Sequence, residues 1–205
     1  MLLPHFAYTS SIMTKCCPIE YAITGGCYIC CALMILLLPI KVITSFFTAA
    51  AIHEICHILA LRYHHVPVLQ MKFGIGGAII QTVPLSPRQE FYCSLAGPIG
   101  SFLCVLPYRH FPILALCGIV QGLFNLLPVY PLDGGRILRS FFQWHCPALE
   151  SVICKTAAWC TIIGSSVVCI YLFCHTSDYF YFLPALYFLL HICSKRKTPC
   201  KEQQY

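Results

Sequence analysis

Residues 46–62 read FFTAAAIHEICHILALR, an apolar run interrupted by His53, Glu54 and His57. On an α-helix, positions four apart lie one above the other on the same face. His53 and His57 can therefore offer two imidazole nitrogens to one ion. Glu54 sits about 100° round the helix from His53, placed to poise a water at that ion without binding it. His-Glu-x-x-His is the spacing with which a helix holds a catalytic metal, the Glu serving as general base. The setting adds to the signal, because ionisable groups inside a membrane span are costly and mark function. The competing reading is that these side chains only pair with neighbouring helices.

The 205 residues have a mean hydropathy of +0.76, with 59% hydrophobic and 10% charged residues. Soluble domains carry about 25% charged residues, so this chain belongs in or beside a bilayer. Runs near the required ~20 apolar residues occur at 21–40, 42–61, 91–108, 111–129 and 152–174, with a shorter sixth at 178–193 containing Pro184. The expected fold is an all-α polytopic membrane protein of about six transmembrane helices. A small membrane-associated β-hairpin is expected between the second and third. Residues 1–205 read as one membrane-embedded domain, with its catalytic core at about 42–139. With six spans, every Lys and Arg except Lys41 and Arg109 falls on one side. The positive-inside rule makes that side cytoplasmic, so the expectation is a multi-pass cell-membrane protein with both termini in the cytoplasm. Charge spread as loop punctuation excludes nucleic acid as a partner. The 16 Cys lie mostly in apolar spans, where they act as small hydrophobes, and the Cys27/Cys30 pair has no second pair at zinc-finger distance.

Beyond Arg62 come His64 and His65, read as interfacial polar residues with spare ligands as the alternative. Two β-prone runs, 68–73 and 78–83, flank Gly74, Gly76 and Gly77 and predict a hairpin. Its free edge could pair with an extended peptide, which makes Gly76 and Gly77 candidate substrate-binding residues. A plain interfacial loop is the alternative. In the third span Ala96, Gly97 and Pro98 are accounted for by close helix packing. The fourth span ends at Asn125-Leu-Leu-Pro128-Val-Tyr-Pro131-Leu-Asp133-Gly134-Gly135. This predicts a broken helix end that exposes an acid and an amide. The second and fourth spans run in the same direction, so Asp133 reaches the cytoplasmic half, as His53 and His57 do. Two His and an Asp leave a fourth position for water, the open coordination of catalytic zinc. A short amphipathic segment with Trp144 and His145 follows.

With both constellations in view, residues 20–195 resemble the site-2 protease family of intramembrane zinc metalloproteases. The closest branch is that of the stage IV sporulation protease, which processes a pro-sigma factor. His53-Glu54-Ile55-Cys56-His57, Ala96-Gly97-Pro98 and the Asn125–Gly135 run carry the likeness. The resemblance implies His53, His57 and Asp133 as Zn2+ ligands, Glu54 as catalytic glutamate and Asn125 as a substrate-holding residue. It implies a membrane-associated protein substrate and a membrane inhibitor protein as partners. Neither the nucleotide-binding regulatory domain of that branch nor the PDZ domain of others is expected here. Two alternatives stand beside it. A membrane metal transporter would place ligands at several depths, and an inactive substrate-holding relative would not need Glu54.

Overall fold

Large apolar side chains cover much of the outside of this molecule, while several polar and charged ones are buried beside its apolar core. Leu36 is 81% exposed and Ile35 67%, whereas His53, His57, Glu90, Ser94, Ser101, Asp133 and Ser140 are buried. A soluble protein packs the other way. The structure is a computed structural model that describes residues 20–23, 25–74 and 77–176.

Along the chain run strand β1 (Glu20–Ile23), helices α1 (Gly25–Leu37) and α2 (Ile40–Tyr63), and strands β2 (Val68–Gly74) and β3 (Gly77–Thr82). Helices α3 (Pro87–Leu103), α4 (Pro112–Asn125), α5 (Asp133–His145) and α6 (Pro147–Thr176) follow. Among the described residues, two helices are long and apolar enough to cross a membrane, Ile40–Tyr63 and Pro147–His175. They contain the expected spans 42–61 and 152–174. The spans expected at 91–108 and 111–129 correspond to the 17-residue α3 and the 14-residue α4. The one expected at 178–193 lies outside the described residues.

The first expected span, 21–40, is not one helix. Its opening residues form β1, and the 13-residue α1 stops before Pro39. At 1.5 Å per residue, α1 is about 20 Å long, short of the ~30 Å hydrocarbon core. The all-α expectation with a two-stranded hairpin is corrected accordingly, to a helical fold with a three-stranded sheet in the order β1-β2-β3. β1 runs parallel to β2 and β3 antiparallel to it, with Gly74 opposite Gly77. Val68 and Ile80 pack on a core of Leu61, Val66 and Cys93, which seats the sheet beside the end of α2.

α3 is the hub, packed against α2, α4 and α5. Ser86 and Gln89 define its start as a capping box. The Gln89 N–H donates to Ser86 Oγ at 3.3 Å and the Ser86 N–H to Gln89 Oε1 at 3.0 Å. Pro87 follows at a position where no helical hydrogen bond is lost. α3 lies close against α2 at Gly100, where a Cβ would come 2.9 Å from the Cys56 Cβ and 3.2 Å from the Ile52 carbonyl oxygen. Val129 and Leu132 pack on Ile162, tying the segment before α5 to α6.

Gly100→Ala should therefore cost about 1–3 kcal/mol through overpacking. At Gly164 an added Cβ meets nothing within 4 Å. Gly164→Ala should be neutral or gain up to ~1 kcal/mol from helix propensity. Thermal melting of the two variants in detergent checks this pair.

Candidate metal centre

The interior of α2 is polar at two places one turn apart. His53 and His57 are 3% and 7% exposed, their rings edge-to-face with centroids 4.8 Å apart. Each ring is held from behind by α3. His57 Nδ1 lies 2.7 Å from the Cys93 carbonyl oxygen and donates to it. His53 Nδ1 lies 2.8 Å from Ser101 Oγ. A proton on Nδ1 leaves Nε2 as the ligand nitrogen, so the Cys93 carbonyl sets the tautomer of His57, and both contacts set ring orientation.

Asp133 is the first residue of α5. The sequence suggested an acid exposed at a broken helix end, but the carboxylate is buried, only 6% exposed. Close approach of the backbone makes this possible. A Cβ on Gly134 would overlap the Leu126 carbonyl, and one on Gly135 would come 2.5 Å from the Tyr130 nitrogen. The segment before α5 folds tightly over its first turn and turns Asp133 inward.

Asp133 Oδ2 lies 3.0 Å from His53 Nε2 and 3.2 Å from His57 Nε2, and the two Nε2 atoms are 3.1 Å apart. An ion about 2.0 Å from each of three tetrahedral ligands would hold them roughly 3.3 Å apart. The triangle fits. Gly97 supplies the room: a Cβ there would overlap His57 Nε2 and lie 2.7 Å from His53 Nε2. Among the described residues, His53, His57 and Asp133 form the group able to hold a metal ion.

The remaining predicted site residues are not among these three candidate ligands. Glu54 is half-buried on α2, beside His53 in the chain and outside the three-residue group. Asn125, the last residue of α4, donates its amide to the Gln121 carbonyl at 3.1 Å. Gly77 opens β3, and Gly76 lies outside the described residues. His64 caps α2 and stacks on Tyr92, outside the three-residue group. Sequence reasoning missed Ser101 and the Cys93 carbonyl, and treated Gly97 as packing alone. A signal was available in α3: Glu90, Ser94, Gly97 and Ser101 form one small-or-polar stripe at helical spacing.

Residues 94–167 match the family model described as peptidase family M50. Zinc metalloprotease MJ0392 of Methanocaldococcus jannaschii is 30% identical over 142 residues, 62% of this chain and 40% of its own. The sll0528 protein of Synechocystis sp. is 31% identical over 110 residues, 46% of this chain and 29% of its own. The chain thus spans two fifths or less of the length of these curated relatives. Among solved structures, the site-2 protease from Methanocaldococcus jannaschii superposes with a TM-score of 0.62 at 20% identity. It covers 93% of this chain and 97% of its own, so the two share a fold.

Gly97→Ala should abolish metal retention, since its methyl would fill the space between the histidines. Asp133→Ala should lower metal affinity at least tenfold while leaving the helices in place. Metal content of the purified variants, read with their helical circular dichroism, checks both.

Proposed function

We propose that the chain is an intramembrane zinc metalloprotease that hydrolyses a peptide bond in or near a membrane-associated segment. The observation that carries this reading is the buried triangle of His53, His57 and Asp133, drawn from two helices, with Glu54 beside it. His53, His57 and Asp133 would hold zinc. A zinc ion there supplies Lewis-acid chemistry, polarising a carbonyl and acidifying water. Glu54 accepts the water's proton and returns it to the leaving amine. Gly97 keeps the space between the imidazoles open, and the α3 contacts keep both Nε2 atoms turned toward it.

A helical substrate hides its carbonyls in hydrogen bonds and must unwind to be cut. The sheet offers a surface for the unwound segment. β2 is the central strand, so among the described residues β1 and β3 are the two edge strands, and the peptide is assigned to β3. Each main-chain hydrogen bond gained on β3 contributes roughly 0.5–1.5 kcal/mol net toward the unwinding cost. Gly77 stands where this edge begins, and the Asn125 amide holds the peptide from the α4 side. An apolar cavity of about 350 Å³ between Phe91, Leu126, Pro128 and Phe141 reaches Gly134, next to Asp133. It suits an apolar side chain of the bound segment.

The likeness of the Asn125–Gly135 run to the sporulation branch supports regulated proteolysis, such as release of a membrane-tethered sigma factor under a membrane inhibitor. Cation placement supports a multi-pass cell-membrane protein with cytoplasmic termini and the site in the cytoplasmic half. A transporter calls for ligands at several depths, whereas the described residues offer a single cluster.

Glu54→Gln should retain one zinc per chain and lose 10²-fold or more of its cleavage of a single-span test substrate reconstituted with it. Wild-type cleavage by this variant would refute the protease reading. Ile79→Pro and Ile80→Pro each remove one β3 donor. At least one should keep its zinc and lose cleavage, because alternate donors face outward. Normal cleavage by both would make the sheet a mere connector.

A further inference from the structure

Glu90 is a carboxylate that the mechanism above leaves unused, yet it is 3% exposed in the first turn of α3. A charge is buried only where something holds it. Its partner is Arg136 on α5, whose Nε lies 3.7 Å from Glu90 Oε1. Arg136 follows Asp133 by one turn, and its Nη1 lies 3.8 Å from Asp133 Oδ1. That oxygen is not the one facing the histidines. Oδ2 faces them, at 3.0 and 3.2 Å. One carboxylate thus faces two partners, the metal site through Oδ2 and, at ion-pair distance, a guanidinium through Oδ1.

We propose that Glu90 is a positioning residue for the metal centre, fixing Arg136 so that Arg136 turns the Asp133 carboxylate toward His53 and His57. Two observations support the assignment. The planar fork of Arg136 can serve two carboxylates at once, which a lysine could not do with fixed direction. The Glu90 end is itself anchored, because the adjacent Ser86–Gln89 capping box sets where α3 begins. The helix dipole further favours an anion in that first turn. α3 thereby orients all three ligands: His53 through Ser101, His57 through the Cys93 carbonyl and Asp133 through Glu90 and Arg136. The bland alternative is that Glu90 and Arg136 only tie α3 to α5. Such a tie would change the stability of the zinc-free fold and leave zinc affinity of the folded protein alone.

The inference rests on His53, His57 and Asp133 being the ligands, and the experiment separates the two claims. Zinc affinity of the full chain in detergent is measured by competition with a chromophoric chelator. The variants are Glu90→Gln, Glu90→Asp, Arg136→Gln, the Glu90→Gln/Arg136→Gln double and His53→Ala. Loss of an orienting partner should weaken zinc about 10–100-fold in Glu90→Gln. Glu90→Asp, which keeps the charge at shorter reach, should show a smaller loss and stands in if the Gln variant fails to fold. In the Arg136→Gln background, Glu90→Gln should add no further loss, since its effect passes through the guanidinium. Wild-type affinity in both Glu90 variants, or an equal loss with and without Arg136, overturns the proposal. Wild-type affinity in His53→Ala would instead overturn the ligand assignment beneath it.

Discussion

An imidazole that binds a metal through one nitrogen must do something with the other, and a buried ring needs a protein partner for it. Here both second nitrogens are satisfied by α3, through a hydroxyl and a main-chain carbonyl. Those contacts require the two helices to lie nearly in touch. Gly100 allows the approach against Cys56, and Gly97 allows it at the imidazoles themselves. The capping box that starts α3 and the tight turn that brings in Asp133 then have a common purpose. Each fixes a rigid element relative to α3, so that the three ligand atoms converge without a flexible loop among them.

Much of this was legible in the chain because its signals are local. His-Glu-x-x-His declares itself within five residues, and α2 extends past the polar triad in both directions as an apolar helix should. The Ser86–Gln89 capping box is an equally local signal that the sequence reading did not use. Long-range pairings were not legible. β1 is a strand because β2, some fifty residues later, presents an edge to Tyr21 and Ala22. Read alone, those residues are simply the apolar start of a span. The turn that carries Asp133 inward was legible only through its pairing with the two histidines. Pro131 and two glycines announce a turn, but they do not show which way the turn faces. Gly97 was read correctly as a packing residue, yet what it packs against is the pair of imidazoles, and no local pattern says so.

The sheet and the metal site are joined by shared packing. Cys93 contributes its carbonyl to His57 and its side chain to the core on which Val68 and Ile80 rest. A displacement of the sheet is thus felt at the residue that orients one imidazole. This gives the strand edge a mechanical link to the ligands within a few residues of α3, whatever peptide lies along it.

The inverted distribution of side chains bears on how the molecule would come apart. A soluble domain exposes apolar surface to water as it melts, and the resulting rise in heat capacity bends its stability curve into a dome. In this chain the large apolar side chains already face outward, and helices that separate within a bilayer meet acyl chains instead of water. Little new hydration accompanies the loss of structure. Stability should then decline with temperature along a nearly straight line, without the cold-side downturn of soluble proteins, and its slope reports the ordering of small-residue contacts such as those at Gly97 and Gly100.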